Sequence, residues 1–272
     1  MANPLKEIKK MIDDPMQAVV YDLPSGTRDE YKDRLRDFKG MIDQYLDGQI
    51  RSKHIALAAF ELAFWQFKRS YGGGFHPSEV SKGDYCKRKL YFEYVGTEPE
   101  KSRSFSQQTM RIFNLGTMVH LYMQYVLLKE KVITDFEVPV VSKTLGINGS
   151  ADGENTAEEI TFEIKTMSSF IFAKLVEPVK EHVRQATMYA YPRGMKRIRL
   201  IYVNKDSLEL KTFLVPLDMD FLNQFAEVVF ELKTLKKENE KSGVETLPEK
   251  RCKNRMDNRA LECPFANKCF EA

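Results

Sequence analysis

The chain is short of several things, and each shortage narrows what it can be. It has a single tryptophan, Trp65, and only four cysteines. No stretch approaches the roughly 18 uninterrupted apolar residues of a membrane span, and MANPLKEIKK at the start lacks the apolar run of a secretory signal. The expectation is a protein of the cytoplasm or another reducing compartment, with no membrane partner, in which the cysteines are not structural disulfides. There is no Gly-rich loop ending in GK[ST], so any ATP-driven motor would have to be another chain. Neither an internal repeat nor a low-complexity tract occurs. A large excess of one charge is missing too: 42 Lys and Arg against 39 Asp and Glu leave +3, too little to argue for a polyanionic partner. What remains, 272 residues with 43% hydrophobic and 30% charged side chains, is ordinary for a globular protein and enough for a substantial core.

Residues 1–75 read as a helical N-terminal region. Leu5, Ile8 and Ile12 keep helical spacing, as do Leu35, Phe38, Ile42 and Leu46. The apolar run Ile55 to Phe67 predicts a further helix, and Gly72, Gly73 and Gly74 mark a boundary. Beyond it, residues 105–131 predict a long helix with Met110, Phe113, Met118, Leu121, Tyr125 and Leu128 as its buried stripe and His120 beside it. Strands are expected at about 132–142, 145–152, 159–166, 197–204 and 208–215, with helices at 178–190 and 218–240. That order predicts an α/β fold with a mixed central sheet flanked by helices. In the helix at 178–190, His182, Gln185 and Tyr189 share one polar face, which invites a ligand.

The stretch INGSADGENTAEEITFEIKT carries the chemistry. Ile160, Phe162 and Ile164 alternate with Thr161, Glu163 and Lys165, so Glu163 and Lys165 project side by side from one face of a strand. Asp152 lies eleven residues ahead, among Gly146, Gly149 and Gly153, and reads as the end of a neighbouring strand that turns back as a hairpin. Glu-x-Lys alone is uninformative, since it begins five times here, at Glu7, Glu30, Glu163, Glu209 and Glu231. In this setting, however, two carboxylates can hold a hard divalent cation while an ammonium serves a water and a phosphate. Basic groups that could meet phosphates cluster at Lys87, Arg88 and Lys89, at Arg193, Lys196, Arg197 and Arg199, and at Lys250, Arg251, Lys253, Arg255 and Arg259.

Cys252, Cys263 and Cys269 sit in a basic, loop-like C-terminal tail with Pro248 and Pro264, while Cys86 stands far upstream. Four thiolates suit either one tetrahedral zinc or a cubane iron–sulfur cluster. The absence of Cys-x-x-Cys knuckles leans toward [4Fe-4S].

Taken in order, Cys86 in DYCKRKLYF, the Gly116 to His120 segment, Asp152 in GSADG, Glu163 and Lys165 in EIKT, Gln185 and Tyr189 in QATMY, and the three tail cysteines resemble RecB-like nucleases of the PD-(D/E)xK superfamily. The resemblance is to their iron–sulfur branch, which includes the AddB nuclease domain, CRISPR-associated RecB-like exonucleases and phage exonucleases. It covers residues 76–272 and implies a restriction-endonuclease-like core closed by the Cys-rich tail. It implies Mg²⁺ or Mn²⁺ bound by His120, Asp152, Glu163 and the backbone carbonyl of Ile164, with Lys165 on the attacking water. Gln185 and Tyr189 would complete the catalytic set and, with Arg88, Arg193 and Lys196, touch DNA. Cys86, Cys252, Cys263 and Cys269 would hold a structural [4Fe-4S] cluster, with zinc as the lesser alternative. The implied activity is a metal-dependent exonuclease on DNA ends, single-stranded DNA above all, working with a recombination or CRISPR-adaptation partner. The competing reading is a catalytically silent DNA-binding or adaptor subunit, against which the intact Asp152, Glu163 and Lys165 argue.

Overall fold

The computed structural model of the chain describes residues 25–49, 58, 59, 62, 66, 67, 74–100 and 106–271. The chain divides into two compact units, Met1–Arg69 and Ser70–Ala272. In the first, helix α1 (Arg28–Leu46) starts at a capping box: the Glu30 amide donates to the Thr27 hydroxyl at 3.2 Å and the Thr27 amide to the Glu30 carboxylate at 2.6 Å. Leu35, Phe38 and Ile42 are buried along it, at the spacing the sequence predicts. Ser25–Gly26 (β1) pairs in parallel with Gln66–Phe67 (β2), so the run expected to stay helical through Phe67 ends extended. Leu5, Ile8, Ile12, Trp65, Gly72 and Gly73 lie outside the described residues.

The second unit is the α/β body. Pro77–Val80 (α2), Lys87–Val95 (α3) and Gln107–Lys129 (α4) precede three strands, Asp135–Ser142 (β3), Ile147–Asn155 (β4) and Ile160–Met167 (β5). Ser169–Lys174 (α5) and Lys180–Ala190 (α6) lead to Arg197–Asn204 (β6) and Leu210–Pro216 (β7), and Met219–Ser242 (α7) follows. The five strands form one mixed sheet in the order β3-β4-β5-β6-β7, parallel only between β5 and β6. Helices α5 and α6 make the crossover that a parallel pair requires. One core joins Phe75, Tyr91, Phe92, Ile147, Met188 and Phe225; another packs α6 through Ala186 and Ala190 on Ile198, Leu200 and Tyr202 of β6. Among the described residues no helix is long and apolar enough to cross a membrane.

Two expectations need correction. Asp152 does not end a strand, because β4 runs on to Asn155 and the turn falls at 156–159. The stripe on α4 is out of phase as well: Leu121 is buried, but Phe113 and Met118 are exposed, together with Ile112, Leu115 and Tyr122. The inward line of α4 is instead Gly116, His120 and Gln124, spaced by four, with Gln124 fully buried. An added Cβ at Gly116 would come within 3.2 Å of the Thr166 hydroxyl, so the missing side chain lets α4 lie close over β5.

The tail docks on α3 and the loop after it. Phe265 is fully buried with its ring 5.5 Å from that of Phe92. The Glu100 carboxylate accepts from the amides of Asn267 at 2.9 Å and Lys268 at 2.6 Å. Arg88 donates to the carbonyls of Pro248 at 2.7 Å and Cys269 at 3.0 Å.

Candidate metal centre

The centre is built by strand register. Strands β4 and β5 pair as Asn155↔Ile160, Glu154↔Thr161 and Gly153↔Phe162, and there the ladder stops. The next position sets Asp152 opposite Glu163, with the Asp152 carboxylate taking the amide of Ile164 as a hydrogen-bond donor at 2.6 Å. Two residues further along β5, Lys165 Nζ lies 2.5 Å from Glu163 Oε1. His120 on α4 brings Nε2 to 3.4 Å from Asp152 Oδ2.

The Glu163 side chain has no exposed surface; Oε1 is paired with the Lys165 ammonium, and Oε2 makes no hydrogen bond. His120 Nε2 is equally shut off from solvent and makes none. Buried polar atoms left this way are costly, and in a native site they call for an explanation, such as an ion that completes them.

Electrostatics follow from this burial. Desolvation raises Asp152 to about 7, helped by Glu137 and opposed by Lys165 and the Ile164 amide. Desolvation and then Asp152 raise Glu163 to about 7 against the pull of Lys165 and His120. Burial works to lower Lys165 but is outweighed by Glu163 and Asp152, so the ammonium is held above its ordinary range. His120 is lowered, chiefly by desolvation, which keeps its imidazole neutral and able to act as a ligand.

Ligand atoms of His120, Glu137 and Asp152 all lie within 4.8 Å of one another. Atoms sharing an ion at about 2.1 Å stand at most about 4.2 Å apart, so a contraction of a few tenths of an ångström would let this group hold a divalent cation. Glu137 is absent from the residues singled out by sequence, as is Gln124, whose amide Nε2 donates to Glu137 Oε1 at 3.1 Å and to the Asp152 carbonyl at 2.9 Å. Gln124 stands one helical turn beyond His120, a signal that could have found it.

The other residues expected at the site are placed as follows. Gln185 and Tyr189 are buried, and Tyr189 packs with Val138, Val140 and Ala151. A Cβ on Gly149 would fall 2.8 Å from the Tyr189 ring, so only glycine admits it there. The polar face expected to await a ligand is thus satisfied internally: Gln185 hydrogen-bonds Tyr189, and His182 Nδ1 is 3.2 Å from the Tyr202 hydroxyl. Arg193 forms a two-pronged pair with Glu154 at 3.0 and 2.7 Å, Lys196 pairs with Glu159 at 2.7 Å, and Arg88 is engaged by the tail.

The four cysteines lie apart from this centre but together. Cys252 is raised by desolvation first, then by Asp257, then by Cys86, Cys263 and Cys269. Burial likewise pushes the Cys263 thiol up, with Cys86 and Cys269 adding to it. No three of these sulfurs share the 4.8 Å spread seen at His120, Glu137 and Asp152.

No protein-family model matches the chain, and no curated protein matches it either. Among solved structures it is similar to an alkaline exonuclease, LHK-Exo, from Laribacter hongkongensis, at 16% identity over 62% of this chain and 95% of that one, with a TM-score of 0.45. A structure of LHK-Exo in complex with dAMP matches at 14% identity over 64% and 94%, with a TM-score of 0.43. SSO0001 matches at 16% identity over 80% and 95%, with a TM-score of 0.44.

Proposed function

We propose that this chain is a metal-dependent deoxyribonuclease of the PD-(D/E)xK type, a RecB-like exonuclease that degrades DNA from its ends, single-stranded ends foremost. The observation that carries the reading is the buried pair Asp152 and Glu163 beside Lys165, with a buried Glu163 Oε2 that no hydrogen bond satisfies. A sheet has no structural use for two such acids without a cation. His120, Asp152, Glu163 and the carbonyl of Ile164 would hold one Mg²⁺ or Mn²⁺. When bound, the ion supplies Lewis acidity to the scissile phosphate and makes water more acidic.

The chain's own residues do the rest. Lys165, held as an ammonium by its two acids, donates a hydrogen bond to the attacking water and offsets the charge gathering on the phosphorane. The Ile164 amide fixes one Asp152 oxygen, so that the carboxylate keeps its aim. Tyr189, packed over Gly149 and hydrogen-bonded to Gln185, supports the site from behind, with Lys196 and the other basic groups on the phosphates beyond. Water displaces the leaving oxygen in line, and no covalent enzyme intermediate forms. The cysteines Cys86, Cys252, Cys263 and Cys269 would hold a [4Fe-4S] cluster as a structural clasp. The influence of Cys86, Cys263 and Cys269 on the Cys252 thiol supports this, and the absence of Cys-x-x-Cys knuckles favours the cluster over one zinc. The setting we propose is cytoplasmic recombination, repair or CRISPR-type DNA processing with a partner protein.

The test is a time course on 5′- and 3′-labelled single and double strands with Mn²⁺, Mg²⁺ or EDTA. Stepwise shortening with either ion and none in EDTA is expected. Labelled DNA that is bound but left whole in Mn²⁺ would favour the silent adaptor instead. Protein purified without oxygen should absorb broadly near ~400 nm and carry about four irons; colourless protein with one zinc would sink the cluster.

A further inference from the structure

We propose that Glu137 is a further protein ligand of the divalent ion, and that Gln124 and Ser150 are positioning residues that present it. The inference rests on the divalent-ion reading above and adds a residue that none of the sequence motifs contains.

Register is the first argument. Strands β3 and β4 pair as Phe136↔Gly153 and Val138↔Ala151, which sets Glu137 opposite Asp152. Asp152 in turn stands opposite Glu163 at the end of the β4–β5 ladder. Three carboxylates therefore form one row across three neighbouring strands. Like charges directly opposite each other in a sheet are destabilising. Fully ionised, the row would exceed the single ammonium of Lys165 by two negative charges, the charge of one divalent cation.

Backbone and side-chain geometry supply the second argument. Glu137 has φ of 48°, a left-handed conformation within a strand, where a residue other than glycine is strained. Both of its oxygens are then held: Oε1 accepts from Gln124 Nε2 at 3.1 Å and Oε2 from the Ser150 hydroxyl at 2.9 Å. Each keeps a free lone pair, since a carboxylate has about four acceptor sites. The same Gln124 amide reaches the Asp152 carbonyl at 2.9 Å, so one wholly buried side chain aligns both acids with His120 one turn back. A strained backbone, two orienting donors and a carboxylate aimed at a like charge are explained together if a cation sits between them. Independently of Glu137, the buried Glu163 Oε2 and the shielded His120 Nε2, neither of them hydrogen-bonded, also suit a cation.

The experiment titrates Mn²⁺ into metal-free protein without DNA by calorimetry, and records melting in EDTA and in Mn²⁺. Glu137→Gln should weaken Mn²⁺ binding at least tenfold and shrink the Mn²⁺-induced rise in Tm, while melting in EDTA stays the same or moves up as repulsion in the row is relieved. Glu137→Asp, which keeps the charge but shortens the reach, should also weaken binding. Gln124→Leu should weaken it by a smaller factor. A Glu137→Gln protein that binds Mn²⁺ like the parent while Asp152→Asn does not would overturn the inference and leave the ion centre standing. If the parent itself binds no Mn²⁺, the reading beneath the inference fails with it.

Discussion

The acid row and the cysteine tail both gather groups for which a bound metal is proposed, but the fold holds them in different ways. Asp152, Glu137 and Glu163 stand on strands whose pairing is set by backbone hydrogen bonds; the Ile164 amide aims the Asp152 carboxylate, Gln124 and Ser150 aim that of Glu137, and Lys165 pairs with Glu163. The tail cysteines stand on short helices and turns, and what seats them is Phe265 in its pocket, Glu100 on two amides and Arg88 on two carbonyls. The row is a frame set by strand pairing that holds three acids against one ammonium, whereas the tail is a dock of satisfied contacts that carries the thiols. Loss of the bound group should therefore cost chemistry in the first region and attachment in the second.

The largest expected effect breaks the row. Lys165→Ala should lower cleavage by about three orders of magnitude or more, because it removes the donor at the point of attack. The fold should survive, since the removed ammonium lies at a partly exposed position whose ion pair is with Glu163. End-labelled DNA with Mn²⁺ reads the rate and circular dichroism reads the fold. Full cutting by the variant would remove Lys165 from the mechanism.

Next comes the tail. Phe265→Ala empties a fully buried aromatic site and should cost about 3–5 kcal/mol. Limited proteolysis should then clip the chain near residues 250–260 before it attacks the sheet. Cys263→Ser should release iron and expose the same segment, yet leave Mn²⁺ affinity at the acid row unchanged. A parallel loss of Mn²⁺ affinity would show that the two regions are one cooperative unit and void the contrast.

The legible parts of the molecule were those where local rules decide. Asp152 and Glu163 are eleven positions apart, an odd offset, which in a hairpin with its turn at 156–159 puts the two opposite each other, so the pair could be anticipated from spacing. The alternation of β5 similarly foretold Glu163 beside Lys165. Glu137 was hidden because its place depends on the register of β3, set by a turn at 143–146 and by a left-handed residue no periodicity announces. On α4 the apolar stripe misled for a related reason: the helix turns Gly116, His120 and Gln124 inward to serve the acids, and Phe113 and Met118 are left exposed. Tyr189 and Gln185 were recognisable as a pair, but their burial follows from Gly149, on another element. Where function overrides hydrophobic phase, pattern reading takes the wrong face.

The smallest effect, and the one that sharpens the contrast most, is a pH dependence confined to the row. Asp152 and Glu163 are raised to about 7 in the metal-free protein, against 3.8 and 4.5 ordinarily. Between those limits the folded state holds protons that the unfolded chain has released, so stability falls as pH rises and levels off above about 7. Metal-free protein should accordingly melt at a lower temperature at pH 8 than at pH 5. Ion binding needs the deprotonated acids, so the rise in Tm from Mn²⁺ should grow over the same interval. Replacing Asp152 and Glu163 together by Asn and Gln should flatten both trends, whereas Cys263→Ser should leave them intact. A metal-free protein whose melting rises steadily from pH 5 to pH 8 would mean that the acids enter the fold already charged and paired, and that the row carries no vacancy for a cation.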